Sequence, residues 1–127
     1  MRKLLILCLF LLLAGCGGKP KLTMLEGTIT FQSAPVARGM IEFEPVDGKG
    51  GTAGANIENG KFSVELAPGL KKVRIYAYEV TGTRKAYDTP DSPMVETTKQ
   101  ILPPEWNESS QIQFNVEGKK QEYNYGG

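Results

Sequence analysis

Hydrophobic and polar residues alternate along short stretches of the chain from Met24 onwards. The clearest stretch is Lys61–Leu66, in which Phe62, Val64 and Leu66 alternate with polar side chains. A period of two residues predicts a β-strand with one face buried and the other in water. The same pattern, in less regular form, predicts further strands at 24–31, 40–44, 52–58, 71–80, 111–116 and 121–125.

Turn-forming residues separate these stretches. Asn59-Gly60 is the strongest hairpin signal in the chain, because both residues tolerate positive φ. Other turns are predicted at Gln32–Pro35, Asp47–Gly51 and Ala67–Gly69. Since no helical period follows residue 16, the pattern predicts an all-β fold. We expect a single antiparallel β-sandwich of about seven strands over residues 24–126, after an N-terminal signal helix.

One long segment breaks the alternation. Residues 81–110 contain four prolines and predict a long loop, of a kind that is often functional or mobile. Within this 81–110 loop, residues 95–102 are a candidate for one more strand.

The first fifteen residues have a different character. Arg2 and Lys3 precede eleven consecutive apolar residues, Leu4–Ala14. A membrane-spanning helix needs roughly 20 apolar residues, so this run is too short to remain as an anchor. A positive start, a short apolar core and small residues behind it are typical of a secretory signal peptide at 1–15. A buried core helix is the alternative, but the run has no polar face.

The end of the apolar run, Leu13-Ala14-Gly15-Cys16, resembles the lipobox of bacterial lipoproteins. The resemblance implies cleavage between Gly15 and Cys16, a lipid on the Cys16 thiol, and a short tether over residues 16–23. Two or three acyl chains hold a protein on a bilayer almost irreversibly. Gly17, where such proteins often carry Asp for inner-membrane retention, favours the outer membrane. An ordinary signal peptide without lipid is the alternative.

Cysteine and charge counts narrow the possible partners. The two cysteines are Cys8 and Cys16, so the exported domain has no thiol left for a disulfide. The whole chain has 15 Lys and Arg against 14 Asp and Glu, and loss of Arg2 and Lys3 with the leader leaves 13 against 14. A net charge of −1 offers no excess of cations for phosphates, so no nucleic-acid partner is expected.

Catalytic chemistry has little support in the sequence. The chain has no histidine, which removes the commonest general base and the commonest metal ligand. No serine-nucleophile motif and no phosphate-binding loop occurs. Asp88 and Asp91 are candidate calcium ligands, but their spacing resembles no calcium loop. We therefore expect no enzyme activity, no metal site and no cofactor.

Several segments resemble carboxypeptidase-regulatory-like domains, which are transthyretin-like β-sandwiches. They are Leu25–Thr30, Pro35-Val36, Gly39–Phe43, Gly60–Val64, Pro68-Gly69 and Val73–Ile75. The tail Pro103–Ile112 is similar to the closing motif of short bacterial lipoproteins with this domain. Residue 70 is Leu, where the family often has an aromatic residue. The resemblance covers residues 24–125 and implies an accessory, adhesive or structural role.

Aromatic residues supply the remaining candidates. Trp106 is the only tryptophan and is predicted to cap one end of the core. Tyr76 and Tyr78 fall on the outward face of one strand and, with Tyr87, form a possible platform for a sugar or a peptide. The alternative is that they merely cover the sheet.

Two functional hypotheses follow. The first is a non-enzymatic, membrane-anchored envelope lipoprotein that acts as a structural or interaction module. The second is a glycan- or peptide-binding module that uses Tyr76, Tyr78 and the 81–110 loop. The expected partners are the membrane, through the lipid on Cys16, and an envelope protein or glycan.

Overall fold

The computed structural model describes residues 21–127. The predicted signal helix, the Gly15–Cys16 cleavage position and most of the tether lie outside the described residues. The described part is all-β, as predicted, with one short 3₁₀ helix at Pro104–Trp106. Its strands are β1 (Thr23–Phe31), β2 (Ala34–Pro35), β3 (Arg38–Pro45), β4 (Ala53–Glu58), β5 (Lys61–Leu66), β6 (Gly69–Lys85), β7 (Met94–Gln100), β8 (Gln113–Val116) and β9 (Gln121–Gly126).

Local sequence explains the tight turns. Asn59 and Gly60 have φ of 51° and 79°, so they form the turn predicted between β4 and β5. Gln32 and Ser33 also have positive φ, 51° and 63°, and turn the chain between β1 and β2. In β5 the alternation is realised as predicted, since Phe62, Val64 and Leu66 are all buried.

The strands form one continuous sheet in the order β2-β1-β5-β4-β3-β6-β7, with β8 added to β6 and β9 added to β1. This arrangement corrects the expected count of seven strands, because nine are present in the described residues. It also corrects the expectation of a wholly antiparallel sheet, because β9 runs parallel to β1. The sheet curves into a half-barrel, and its concave side holds the core.

The core is built from side chains that point inward at every second position along each strand. Phe43 of β3 contacts Phe62 of β5 and Tyr123 of β9, with ring centroids 6.1 Å apart in both pairs. The other large, fully enclosed apolar side chains are Leu25, Ile29, Ile41, Ile57, Val73, Ile75 and Val116. Strands that are distant in sequence thus meet around Phe43.

Residues 103–112 complete the edge of β6 between β7 and β8. The Ile112 carbonyl accepts from the Val73 N–H at 2.9 Å, and Asn107 Nδ2 donates to the Ile75 carbonyl at 3.1 Å. Ser110 Oγ donates to the Val73 carbonyl. Side chains and an irregular backbone therefore satisfy polar groups that a neighbouring strand would otherwise pair.

Trp106 is buried, as predicted, at 9 % exposure. Its ring makes edge contacts with Phe31 of β1 and Tyr125 of β9, at centroid distances of 5.4 and 4.8 Å. The 3₁₀ helix that carries it lies beside β6. Trp106 thus bridges from β6 to the β1–β9 side of the curved sheet.

The predicted 81–110 loop is wrong as a description of this segment. Tyr78–Lys85 of β6 pairs with Met94–Gln100 of β7, with an irregularity between Val80 and Gly82. We call this hairpin, residues 78–100, the arm. The expected strand at 95–102 is present, but it begins and ends slightly earlier. The sequence pattern did not predict the extension of β6 over residues 81–85, because neither face of that part of the arm is buried and it therefore carries no period-two hydrophobic signal.

The strand registers define two ends of the molecule. At the lower end, Thr23 of β1 pairs with Leu66, and Pro45 of β3 pairs with Lys71. At the upper end, β1 reaches its turn at Gln32, and Gly39 of β3 pairs with Ala77 of β6. Because β6 continues past Ala77 into the arm, the arm projects from the upper end.

Candidate functional site

The arm is a largely exposed hairpin in the described part of the chain. Tyr87, Met94 and Val80 have 68, 59 and 47 % of their surface exposed. From Tyr78 to Lys85 the arm spans about 25 Å at the usual rise per strand residue. It presents apolar side chains and backbone groups on a narrow projection away from the core.

The tip of the arm is an ordered turn. The Ala86 N–H donates to the Pro93 carbonyl at 2.9 Å, and the Tyr87 N–H donates to Ser92 Oγ at 2.7 Å. The Ser92 N–H in turn donates to the Thr89 carbonyl at 3.2 Å. The turn therefore holds Tyr87 at the far end of the arm.

Side chains fix the base of the arm to the body. Gln100 Oε1 accepts from the N–H groups of Ala77 and Leu102, at 3.2 and 2.7 Å. Arg38 of β3 forms an ion pair with Glu96 of β7 at 2.9 Å. Both charged side chains are largely exposed, and such pairs stabilise a fold by at most about 1 kcal/mol. Beyond this base, the arm depends on its own hydrogen bonds.

The structure brings together two of the three predicted tyrosines. Tyr76 and Tyr78 lie on the outward face of β6, where Tyr76 pairs with Met40 of β3, and both are half-buried. Tyr87 lies at the arm tip, nine residues and about 30 Å of extended chain beyond Tyr78. The predicted three-tyrosine platform is thus reduced to Tyr76 and Tyr78.

Burial raises the pKa of Tyr76 above its usual value of 10.0, and the Glu42 carboxylate adds to this effect. Both causes disfavour the phenolate. The Tyr76 hydroxyl is therefore a stable hydrogen-bond donor on the outward face of the sheet.

An apolar hollow of about 690 Å³ lies at the upper end, beside the base of the arm. Phe31, Pro35 and Val36 line one side, and Ala77, Val80 and Ile101 line the other. We call it the upper hollow. Its lining comes from segments that are distant in sequence, so no local sequence motif predicts this hollow. The periodic stretches that contain Phe31 and Ala77 were the only sequence signal for its walls.

Tyr78 lies between this hollow and a second one. The second hollow, of about 370 Å³, is also lined by Met40 and Asn56, and Arg38 borders both. Tyr78 was predicted from the outward face of its strand, whereas Arg38 and its partner Glu96 were not predicted. Their pairing joins residues 58 positions apart in the chain and has no signal in the sequence spacing.

Residues 21–127 contain no group of three or more Cys, Asp or Glu side chains placed to hold a metal ion. Asp88 and Asp91 lie in the arm tip. No helix among these residues has the length and apolar character needed to cross a bilayer.

Comparison with protein-family models, with curated proteins and with solved structures gave no match to this chain.

Proposed function

We propose that this chain is a lipid-anchored protein of the cell envelope, held by Cys16 at the outer membrane, that acts without catalysis as an interaction module. The observation that carries the proposal is the arm, which leaves the body at the end opposite to Thr23. The arm is the part of the chain that binds the partner, an envelope protein.

The orientation follows from β1. This strand extends about 25 Å from Thr23 at the lower end to Phe31 at the upper end. The seven residues from Gly17 to Thr23, the first residue of β1, allow at most about 25 Å of tether. A lipid on Cys16 thus keeps the lower end near the membrane, and the arm extends away from it.

A transthyretin-like body is part of the proposal. The segments that resemble carboxypeptidase-regulatory-like domains fall on β1, β3, β5 and β6. The contacts of Phe43 with Phe62 and Tyr123 support two layers facing each other across the core. Such bodies serve as rigid supports for exposed loops and hairpins.

The arm suits a protein partner for two physical reasons. An isolated two-stranded ribbon is marginally stable in water, so added contacts would stabilise it. β7 is the last strand in the order of the sheet, and its outer edge carries backbone groups that no other described strand pairs. A partner strand can add to such an edge by hydrogen bonds.

Site-specific photo-crosslinking in cells tests the proposal. A photoreactive residue at Tyr87 or Thr98 of the arm should give one discrete adduct with an envelope protein, whereas one at Ser63, exposed on β5, should give none. Excess unmodified chain should compete the adduct away. A variant in which Asn-Gly replaces residues 81–97 should not compete, although it keeps the body. No adduct from either arm position, or equal competition by the shortened variant, would refute the proposed role of the arm.

A second candidate function is glycan or peptide binding at Tyr76 and Tyr78. It is favoured by the position of Tyr78 between two hollows and by the protonated hydroxyl of Tyr76. A glycan array should then show a ligand whose binding is lost with Tyr78→Ala and kept with Tyr87→Ala. Equal loss in both variants would contradict this candidate.

A further inference from the structure

A hollow on the outward side of the sheet adjoins Tyr78. It has a volume of about 370 Å³ and lies over β4, β3 and β6. We call it the side hollow. Arg38 and Glu58 lie opposite each other on one side of it, and Met40 and Asn56 form the next opposite pair. This volume falls within the range of about 300–1,000 Å³ that is typical of small-ligand sites.

Two tyrosines give this surface an apolar part. Tyr76 and Tyr78 are two residues apart in β6, so both side chains point outward, and both are half-buried. Met40 lies opposite Tyr76 and is also half-buried. Part of each tyrosine ring is therefore open to a ligand. An aromatic ring of this kind can bury the apolar face of a sugar ring while its hydroxyl stays in contact with water.

The polar side chains of the side hollow include hydrogen-bond donors and acceptors. The Arg38 guanidinium group only donates, the Glu58 carboxylate only accepts, and the Asn56 amide does both. Asn56 and Glu58 are exposed, so a ligand can reach them. Arg38 donates to Glu96 through Nη1, and its remaining N–H groups are further donors. A ligand rich in hydroxyl groups, which both donate and accept, matches this set.

Below the arm, the charged side chains on the outward face of β3, β4 and β6 alternate in sign across the strands. Each carboxylate there lies opposite a cation, in the pairs Glu58–Arg38, Glu42–Arg74 and Glu44–Lys72. Opposite charges held this close leave little net field to attract an ionic ligand. The surface therefore complements an uncharged ligand better than an acidic or a basic one.

The side hollow lies over the middle of the sheet, which favours a glycan over a peptide. β3, below the hollow, is hydrogen-bonded to β4 on one side and to β6 on the other. Its backbone groups are thus already paired, whereas an extended peptide binds most readily where an edge strand has free backbone groups. A glycan does not depend on backbone pairing, because its hydroxyl groups bond to side chains.

We propose that the side hollow binds one ring of a neutral glycan. Tyr78 contacts the apolar face of that ring, and Arg38, Asn56 and Glu58 bond to its hydroxyl groups. Tyr76 contacts the neighbouring ring of the glycan along β6. The inference rests on the second candidate function and deepens it by naming the ligand class, and it is independent of the arm as a protein-binding element.

The test uses the full chain in micelles of a polyoxyethylene detergent, which carries no sugar headgroup. Isothermal titration calorimetry compares neutral hexasaccharides (cellohexaose, maltohexaose, mannohexaose and N-acetylated chitohexaose) with the anionic hexagalacturonate and the cationic chitosan hexamer. At least one neutral hexasaccharide should bind about tenfold more tightly than both charged ones. A peptide array tested in parallel should give no ligand whose binding depends on Tyr78.

Variants assign the binding to the side hollow. Tyr78→Ala should weaken binding of the neutral hexasaccharide about tenfold and Asn56→Ala about fivefold. Tyr78→Phe, which keeps the ring, and Tyr87→Ala, at the arm tip, should change the affinity by less than about twofold. Glu58→Gln removes the charge opposite Arg38 and should therefore raise the affinity for hexagalacturonate about threefold.

Three outcomes would overturn the inference. Equal or tighter binding of a charged hexasaccharide, or a peptide ligand that depends on Tyr78, would overturn the neutral glycan as ligand and keep the second candidate function. No binding of any neutral hexasaccharide, or binding that persists in both Tyr78→Ala and Asn56→Ala, would overturn the side hollow as the site. None of these outcomes alters the photo-crosslinking expected for the arm, so failure of this inference is distinguishable from failure of the proposed role of the arm.

Discussion

Gly27 shows how closely two strands approach at the level of a single residue. It lies in the middle of β1, opposite Phe62 of β5 on one side and Tyr123 of β9 on the other. A methyl group at this position would overlap the carbonyl oxygen of Tyr123. The parallel addition of β9 to β1 therefore depends on the absence of a side chain here.

We expect Gly27→Ala to destabilise the fold by about 3 kcal/mol, since the backbone of β9 must move to admit the methyl group. Gly51→Ala is the matched control, because a methyl there meets no atom within 4 Å. Urea unfolding of both variants measures the difference. Equal unfolding midpoints would mean that β9 does not lie against Gly27.

Tyr123 makes stability depend on alkaline pH. Burial raises its pKa to about 12, with a smaller contribution from Tyr125. In the unfolded chain the phenol titrates near its ordinary value, about 10. A raised folded pKa gives stability that is fully present below pH 10 and is lost as the pH rises towards 12.

The unfolding midpoint in urea should therefore fall more steeply between pH 10 and pH 12 in the unmodified chain than in Tyr123→Phe. Tyr87→Phe, which alters an exposed tyrosine, should keep the steep fall. If Tyr123→Phe leaves the pH dependence unchanged, Tyr123 does not titrate from a buried position.

At the scale of elements, the segment 103–112 replaces a strand by specific side chains. Asn107 and Ser110 are buried and donate to carbonyls of β6, and Trp106 fills the space towards β1 and β9. Trp106 was predicted at one end of the core, and its burial in the structure confirms this prediction.

Trp106→Ala should lower the free energy of unfolding by about 3 kcal/mol or more, because it removes a large ring from two aromatic contacts and leaves a cavity. Tyr87→Ala removes an exposed ring of similar type and should change stability by less than about 0.5 kcal/mol. Denaturant unfolding of the two variants tests this contrast. A similar small effect in both would show that Trp106 lies at the surface.

The arm is an element with little support of its own. Its outer half has no buried apolar residue, so it should open locally at a lower free energy than the body unfolds. Trypsin should therefore cut first at Arg84 or Lys85, next to the tip, and leave the body intact. Mass spectrometry of the early fragments identifies the site. A first cut at Lys61 or Lys72 would contradict the assignment of these strands to the stable body.

At the scale of the whole molecule, the two ends have different chemistry. The lower end carries the start of β1 and a small pocket with Lys49 and Lys71 in its lining, and the upper end carries the upper hollow and the arm. The proposed anchor at Cys16 assigns the lower end to the membrane.

Cys16→Ser should abolish labelling by a metabolic lipid probe and release the protein from membranes, because serine cannot form the thioether. Cys8→Ser, in the apolar run, should keep both. Labelling and membrane fractionation together measure the effect. A Cys16→Ser chain that is still labelled and membrane-bound would refute the lipoprotein proposal.

Local signals in the sequence determined much of the body. The alternation in Lys61–Leu66, the Asn59-Gly60 turn and the strand at 71–80 all predicted the structure correctly. They succeeded because a strand with one buried face must place apolar residues at every second position. Where that condition fails, as in residues 81–85 of the arm, the pattern predicted a loop instead.

Only the tertiary structure decided which segments meet. The parallel pairing of β9 with β1, the separation of Tyr87 from Tyr76 and Tyr78, and the walls of the upper hollow all depend on contacts between distant parts of the chain. A local hydrophobic pattern records which face of a strand is buried, but it carries no information on what buries it. The segments that cover the buried face are determined by the curvature of the whole sheet and by the packing of its two ends.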